Sequence, residues 1–264
     1  MTSKEKVLEF LESNKGKYIS GEAVAESLEL SRTAVWKAVN ELRKSGYEIE
    51  AVSNKGYMLK ESSDILSAAG IISFLPHEYQ KAYKDEELIC VYDTVGSTNR
   101  LAKELAIAGG DHGSVIIANV QTDGHGRSDH SFFSPKGGLY MSILLRPEYM
   151  DIGELKPDAV TMAVGNSVID AIEELTGITP TLKPVNDLYI GDKKVCGILT
   201  EAGTEFETGL VQWIVVGIGI NFDSDISSFP SEVKDIATSL FLPGKAAVSK
   251  NKLAAEIIGR IADL

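Results

Sequence analysis

Apolar residues at Val7, Leu8 and Leu11 share one side of a helical wheel, which predicts a short amphipathic helix over residues 4–13. Ser20 supplies a cap for a second helix over 21–28. After the link 29–32, the spacing of Val35, Val39 and Leu42 predicts a third over 33–44. Two short helices across so tight a turn read as helix-turn-helix. From Tyr47 to Val52 the pattern alternates, a turn follows at 53–56, and Tyr57, Met58 and Leu59 close a hairpin, so the first sixty residues form a winged helix. The polar stretch 60–64 marks a boundary, giving an expected organisation of 1–60, a linker at 61–66 and a larger domain at 67–264. In that domain a helix is expected from 65 to 75, strands at 87–92, 113–120 and 139–145, and helices at 100–108 and 157–176. Strands at 181–190 and 193–201 form a hairpin, a core strand spans 213–221, and a helix runs from 250 to the end. That last helix has no local cap and an apolar final residue, which suggests a chain cut short or a missing C-terminal module.

Composition narrows the setting. No run approaches the roughly 20 apolar residues of a membrane span, and the opening Met-Thr-Ser-Lys-Glu-Lys is no signal peptide. Two cysteines, Cys90 and Cys196, make no disulfide framework, so a reducing cytoplasm with no membrane partner is the expected location. The net charge of −12 is unevenly spread. Residues 1–60 hold ten Lys or Arg against nine Asp or Glu, a net of +1, whereas the remainder holds sixteen against twenty-nine, a net of −13. A small module with its own task is joined to an acidic body. On the exposed face of the third helix, Arg32, Thr33, Trp36, Lys37 and Asn40, with Lys55 on the wing, are of types that meet phosphates and base edges in a major groove. Arg43 and Lys44 add to that charge. The other reading is a protein-interaction module; the basic set favours DNA, gripped by two copies.

The chemistry concentrates in the larger domain. Residues 121–135 form a loop between two core strands, longer than a connection needs, with glycines at 124 and 126, Arg127, and histidines at 125 and 130. Glycines let a backbone approach a ligand and offer bare N–H groups to an anion, and an arginine adds charge-assisted hydrogen bonds. Ser97, Thr98 and Asn99 open a helix, where they can cap it or present polar groups to a ligand. Gly217 and Gly219 alternate with bulky residues along one strand, as where a helix or a flat ligand comes close. Lys183, Asn186, Asp187, Lys194 and Gly197 lie at strand ends. No spacing resembles a zinc site, a Gly-x-Ser-x-Gly elbow or a Walker loop. Basic groups facing a glycine-rich loop, with an Asn-Asp pair for Mg²⁺, suit nucleotide-dependent activation of a carboxylic acid.

Taken together, the winged helix, Ser97-Thr98-Asn99, Gln121 with Gly124-x-Gly126-Arg127, Phe133-Ser134-Pro135, Asn186-Asp187, Lys194-x-x-Gly197-Ile198-Leu199 and Gly217-Ile218-Gly219-Ile220-Asn221 resemble the bacterial bifunctional biotin protein ligases that double as biotin operon repressors. The resemblance covers nearly the whole chain. It implies an α+β protein: a winged helix followed by a class II aminoacyl-tRNA-synthetase-like catalytic domain with a mixed sheet, without the family's small C-terminal β-barrel. It implies biotin, ATP and Mg²⁺ as ligands and biotinoyl-5′-adenylate as intermediate. A biotin carboxyl carrier protein would be the acceptor, and an adenylate-bound homodimer would bind DNA. Lys194 and Arg127 would be catalytic. Ser97, Thr98, Asn99, Gln121, His125, Gly126, Gly197, Gly217 and Gly219 would join them around biotin, and Gly124, Lys183, Asn186, Asp187 and Asn221 would bind ATP and Mg²⁺, with no structural metal. The chain departs from the family at His125 and Ser128, where it usually has arginines, and at Pro184, where it has a large aromatic and where proline would interrupt a strand. These changes are expected to weaken ATP use or adenylate retention. A biotin-sensing repressor with weak or lost ligase activity is the alternative, and a lipoate-type acyltransferase a third.

Overall fold

Helices α1 (Ser3–Glu12), α2 (Gly21–Ser27) and α3 (Arg32–Lys44) and the ribbon of β1 (Ile49–Val52) with β2 (Gly56–Leu59) build the amino-terminal part of the computed structural model. The structure describes residues 2–127, 130–150, 156–184 and 186–264. Each helix starts where a side chain meets an orphan amide: Thr2 and Glu5 form a reciprocal capping box, and the hydroxyls of Ser20 and Ser31 accept from Ala23 and Ala34. Val7, Leu11, Val24, Val35, Val39, Leu42 and Leu59 interlock in a core at 1% exposure or less. Each such side chain stabilises the fold by roughly 1.5–3 kcal/mol. Gly56 closes the wing at φ 98°, and a Cβ there would sit 2.0 Å from the Ile19 carbonyl oxygen, so the turn requires glycine.

The chain divides into two compact units, Met1–Leu75 with Lys250–Lys252, and Pro76–Ser249 with Leu253–Leu264. The division falls later than the expected linker because that segment is strapped down. Lys60 N donates to Glu48 O (2.9 Å), Glu48 N to Ser63 Oγ (3.2 Å) and Lys15 Nζ to Ser63 O (2.7 Å). Its polar residues find partners in the fold rather than in water. The first unit runs on through α4 (Ala68–Phe74), shorter than the expected 65–75 and capped by Ser67. Its last contribution is the first turn of α8 (Lys250–Ala262). Asp64 accepts from Lys250 N (3.0 Å), and Asn251 Oδ1 accepts from Ser67 N (3.0 Å). The helix that lacks a cap in the sequence takes one from 186 residues away.

The second unit is organised on a seven-stranded sheet in the order β3-β4-β5-β9-β8-β7-β6. The strands are β3 (Ile89–Val95), β4 (Val115–Gln121), β5 (Gly138–Leu145), β6 (Thr181–Lys183), β7 (Asp187–Ile190), β8 (Lys193–Thr204) and β9 (Val211–Asn221). β3 and β4 pair in parallel and all other neighbours are antiparallel, so the sheet is mixed. Helix α5 (His77–Asp85), which periodicity did not reveal, precedes it. The expected single strand at 181–190 is instead a reversal: Lys183 pairs with Asp187, and Pro184 lies in the turn between β6 and β7. Proline therefore costs no ladder bond, which corrects the expectation that it disturbs a strand. Helix α6 (Thr98–Ile107) lays Ala102 and Ala106 on Ile116, Leu144 and Val215, covering the face that also carries Gly217. The twenty-residue α7 (Pro157–Thr176) covers the other face, where Gly165 fits between Leu182 and Ile198.

Candidate functional site

Strand register assembles the floor of the site. Lys183, Asp187, Gly197, Gly219, Tyr140 and Ala118 are successive cross-strand partners in one row, and Leu199, Gly217, Ser142 and Ile116 form a second. The missing side chains are filled by neighbours. A Cβ on Gly217 would lie 2.0 Å from Asn99 Oδ1, and one on Gly219 would lie 2.6 Å from the Phe132 ring, which also rests on Gly197. Phe132 meets Tyr140 edge to face at 6.4 Å. The open alternative of helix or flat ligand thus resolves partly: Asn99, from the start of α6, takes the first gap, and a loop aromatic covers the second.

A chain of polar groups runs along the N-terminal end of α6. Ser97 caps the helix, its hydroxyl accepting from Arg100 N. Gln121 Oε1 accepts from Thr98 N (2.8 Å) and Thr98 Oγ1 (3.0 Å), while its Nε2 donates to Ser134 Oγ (3.0 Å). Ser142 Oγ lies 2.7 Å from Thr98 Oγ1 and 2.6 Å from Asn99 Oδ1. At the other end, Lys194 Nζ sits 2.7 Å from Asp187 Oδ1 and 5.6 Å from the Phe132 ring centre. The neighbouring Cys196 is wholly buried, and burial pushes its thiol far up, so it takes no part as a nucleophile.

The loop closes over this floor. Phe132 N donates to Gly124 O (2.8 Å) and Gly126 N to His130 O (2.6 Å); His125 Nδ1 lies 2.6 Å from Asp123 O, and Asp123 is ion-paired with Arg100. Arg127 reaches Asp158 in the first turn of α7 at 3.7 Å. Ser128 lies outside the described residues.

Loop and floor enclose a cavity of about 210 Å³. Ser97, Thr98, Asn99, Gln121, His125, Gly126, Arg127, Lys194, Gly197, Gly217 and Gly219 all line it, as do Asn186 and Asp187. Three residues expected around ATP do not. Gly124 serves the loop itself, since a Cβ there would fall 2.4 Å from Phe132 O. Lys183 stacks its ammonium over Tyr189 at 3.9 Å, and buried Asn221 donates to Thr238 O (3.0 Å). Residue types missed Ser142 and Phe132: a serine inside an apolar strand, Leu139 to Leu145, was the available signal for the first. In the amino-terminal unit, Arg32, Thr33, Trp36, Lys37 and Lys55 are exposed and Asn40 is half-buried. Arg43 is exposed, with its Nε and Nη2 donating to Ile49 O at 2.8 and 2.7 Å.

A mixed sheet whose glycine floor, polar helix start and basic wall meet in one cavity, preceded by a winged helix, defines a ligase-type catalytic domain fused to a DNA-binding module. Comparison with known proteins places it. Residues 91–221 match the biotin/lipoate A/B protein ligase family and residues 3–58 an HTH domain. The chain is 38% identical over 240 residues to the bifunctional ligase/repressor BirA of Bacillus subtilis, covering 90% of this chain and 71% of that one. It superimposes on a biotin protein ligase from Aquifex aeolicus, solved with biotin and ATP, with a TM-score of 0.55 and 32% identity over 66% of this chain and 68% of that one. A Leishmania major biotin protein ligase at 24% identity, TM-score 0.54, covering 66% of this chain and 73% of that one, shares the fold. The chain belongs to the biotin/lipoate protein ligase family, in its bifunctional ligase/repressor branch, and is a ligase with an HTH repressor module.

Proposed function

We propose that this protein joins biotin to AMP and passes it to a lysine of a biotin carboxyl carrier protein, and that the adenylate-loaded form, as a dimer, represses from operator DNA. The observation that carries the reading is the single cavity whose two ends differ in chemistry: hydroxyl and amide groups of Thr98, Gln121 and Ser97 at one, the Lys194–Asp187 pair with Asn186 at the other. The first end suits a neutral, hydrogen-bonding ring and the second an anion. In the first step a biotin carboxylate oxygen attacks the α-phosphorus of ATP and pyrophosphate leaves. In the second the carrier amine attacks the acyl carbon and AMP leaves. Lys194 holds the carboxylate against the phosphorus and offsets charge on the phosphoryl oxygens. Arg127 and the 124–127 backbone cover the adenylate and keep water out. One carboxylate and one amide fit Mg²⁺ in its usual manner, held largely by nucleotide phosphates. Asp187 and Asn186, whose Nδ2 donates to Ile198 O (3.1 Å) and leaves its oxygen available, would hold the ion. Its contribution when bound is neutralisation of phosphate charge.

On the amino-terminal unit, the exposed face of Arg32, Thr33, Trp36 and Lys37 supports DNA contact, with Lys55 on the wing. If adenylate and operator both select the dimer, each strengthens the other's binding by the same factor. Pyrophosphate release from biotin and ATP, followed by mass analysis of the carrier lysine, tests the activity. Release and transfer together support it. Operator binding that rises with biotin and ATP while the carrier stays unmodified would instead favour a sensor that has lost ligase activity.

A further inference from the structure

Asn99 lines the cavity yet has no polar group to spare. Its Nδ2 donates to Glu201 Oε2 (2.9 Å) and Leu199 O (3.3 Å), and its Oδ1 faces Ser142 Oγ (2.6 Å). Glu201, on β8, gives its other oxygen to Lys103 Nζ of α6 (2.8 Å), and both side chains are about a third exposed, at 32% and 35%. A carboxylate only accepts, so it obliges the amide nitrogen of Asn99 to turn outward and the amide oxygen to turn in toward Ser142. Ser142 has one proton and two neighbours within reach, Asn99 Oδ1 and Thr98 Oγ1. With an oxygen at Asn99, Ser142 donates there and presents a lone pair to Thr98. The Thr98 hydroxyl proton is then shared between Ser142 Oγ and Gln121 Oε1, and Gln121 keeps one N–H beyond the bond to Ser134. A half-turn of the Asn99 amide would turn a donor toward Ser142 and send the Ser142 proton to Thr98 Oγ1, while Gln121 Oε1 stays fixed as acceptor of Thr98 N. Gly217 makes the arrangement possible, since no Cβ intervenes.

We infer that Glu201 is a positioning residue for the biotin end of the site, acting through Asn99 to set the hydrogen-bond direction of Ser142 and Thr98. The inference rests on the biotin-binding reading above. Satisfied buried networks hold one orientation, and the loss of a charge-assisted partner corresponds to roughly a tenfold change or more in affinity.

Calorimetric titration of the full chain with biotin, beside titration with ATP and a melting curve for each variant, tests it. Glu201→Ala should raise the biotin Kd about tenfold or more while leaving the ATP Kd within about twofold of wild type. Glu201→Gln, which keeps an oxygen for Asn99, should restore biotin binding to within about threefold. Lys103→Met, which keeps the carboxylate, should change it by about twofold or less, as expected of a partly exposed ion pair. Glu201→Ala binding biotin like wild type would overturn the inference. So would equal weakening of biotin and ATP with a lowered melting temperature, Lys103→Met as impaired as Glu201→Ala, or Gln failing to rescue. A wild type that binds no biotin would overturn the biotin-binding reading and this one with it, a result distinct from a binding-competent Glu201→Ala.

Discussion

One added carbon tests the floor of the site. A Cβ on Gly217 would lie 2.0 Å from Asn99 Oδ1, a distance neither group can accept. Gly217→Ala is expected to expel Asn99 and lower biotin affinity by at least about tenfold, of order 1.4 kcal/mol, with a folded sheet; calorimetry and circular dichroism check both halves. At the other end, Lys194→Gln removes the ammonium beside Asp187. Pyrophosphate release should fall by about a hundredfold or more, with biotin still bound, because loss of one preorganised charge contact costs roughly 3 kcal/mol in the transition state; single-turnover kinetics measure it. These residues were legible as types in a pattern: a lysine before Gly-Ile-Leu, glycines alternating on a strand, Ser-Thr-Asn at a helix start. Their partners were not. Ser142 sits amid Leu139 to Leu145 in a strand that reads as core, and only the register opposite Gly217 brings its hydroxyl to Asn99. Phe132 reads as an ordinary loop aromatic until the Gly197–Gly219 pair is placed beneath it.

Among elements, α1 carries the clearest pH signature. Glu12 is 4% exposed; burial raises its carboxyl above the ordinary value of 4.5, against the pull of Lys15 at 3.1 Å, and its Oε1 has no partner among the described residues. A raised pKa in the folded state means the stability due to protonation is fully present below about pH 4.5 and lost as pH rises through the folded value. The melting temperature of Glu12→Gln relative to wild type should therefore increase by a few °C between about pH 4.5 and pH 7.5; scanning calorimetry at the two pH values reads it, and a difference independent of pH would contradict it. Element type was largely readable from periodicity, with α7 found at its predicted limits of 157 and 176. The failures have two causes. The strap at 60–63 is set by bonds to Glu48 and Lys15, distant partners that leave no local trace, and the β6–β7 reversal by the pairing of Lys183 with Asp187, which periodicity does not reveal.

For the molecule as a whole, composition divides a near-neutral stretch, 1–60, from an acidic remainder, and the first compact unit comprises Met1–Leu75 with Lys250–Lys252. Asn251, at 1% exposure, completes the first unit: it donates to Asp64 and to Ile65 O and accepts from Ser67 N. Asn251→Ala leaves those groups unsatisfied and should cost about 1–3 kcal/mol, lowering the melting transition of the winged-helix unit while biotin affinity is unchanged; calorimetry of the same sample reports both. The same asparagine imposes an order in time. During synthesis the winged helix emerges first with its buried core, drawn from residues 7–59, complete, whereas the segment 64–67 lacks its Asn251 partner until residue 250 leaves the ribosome. Domains that need only their own early residues can finish at once, and the winged helix can do so while the segment behind it waits for a partner 184 residues later. A nascent or prematurely terminated chain thus keeps the winged-helix core but lacks the Asn251 bonds that hold the segment behind it.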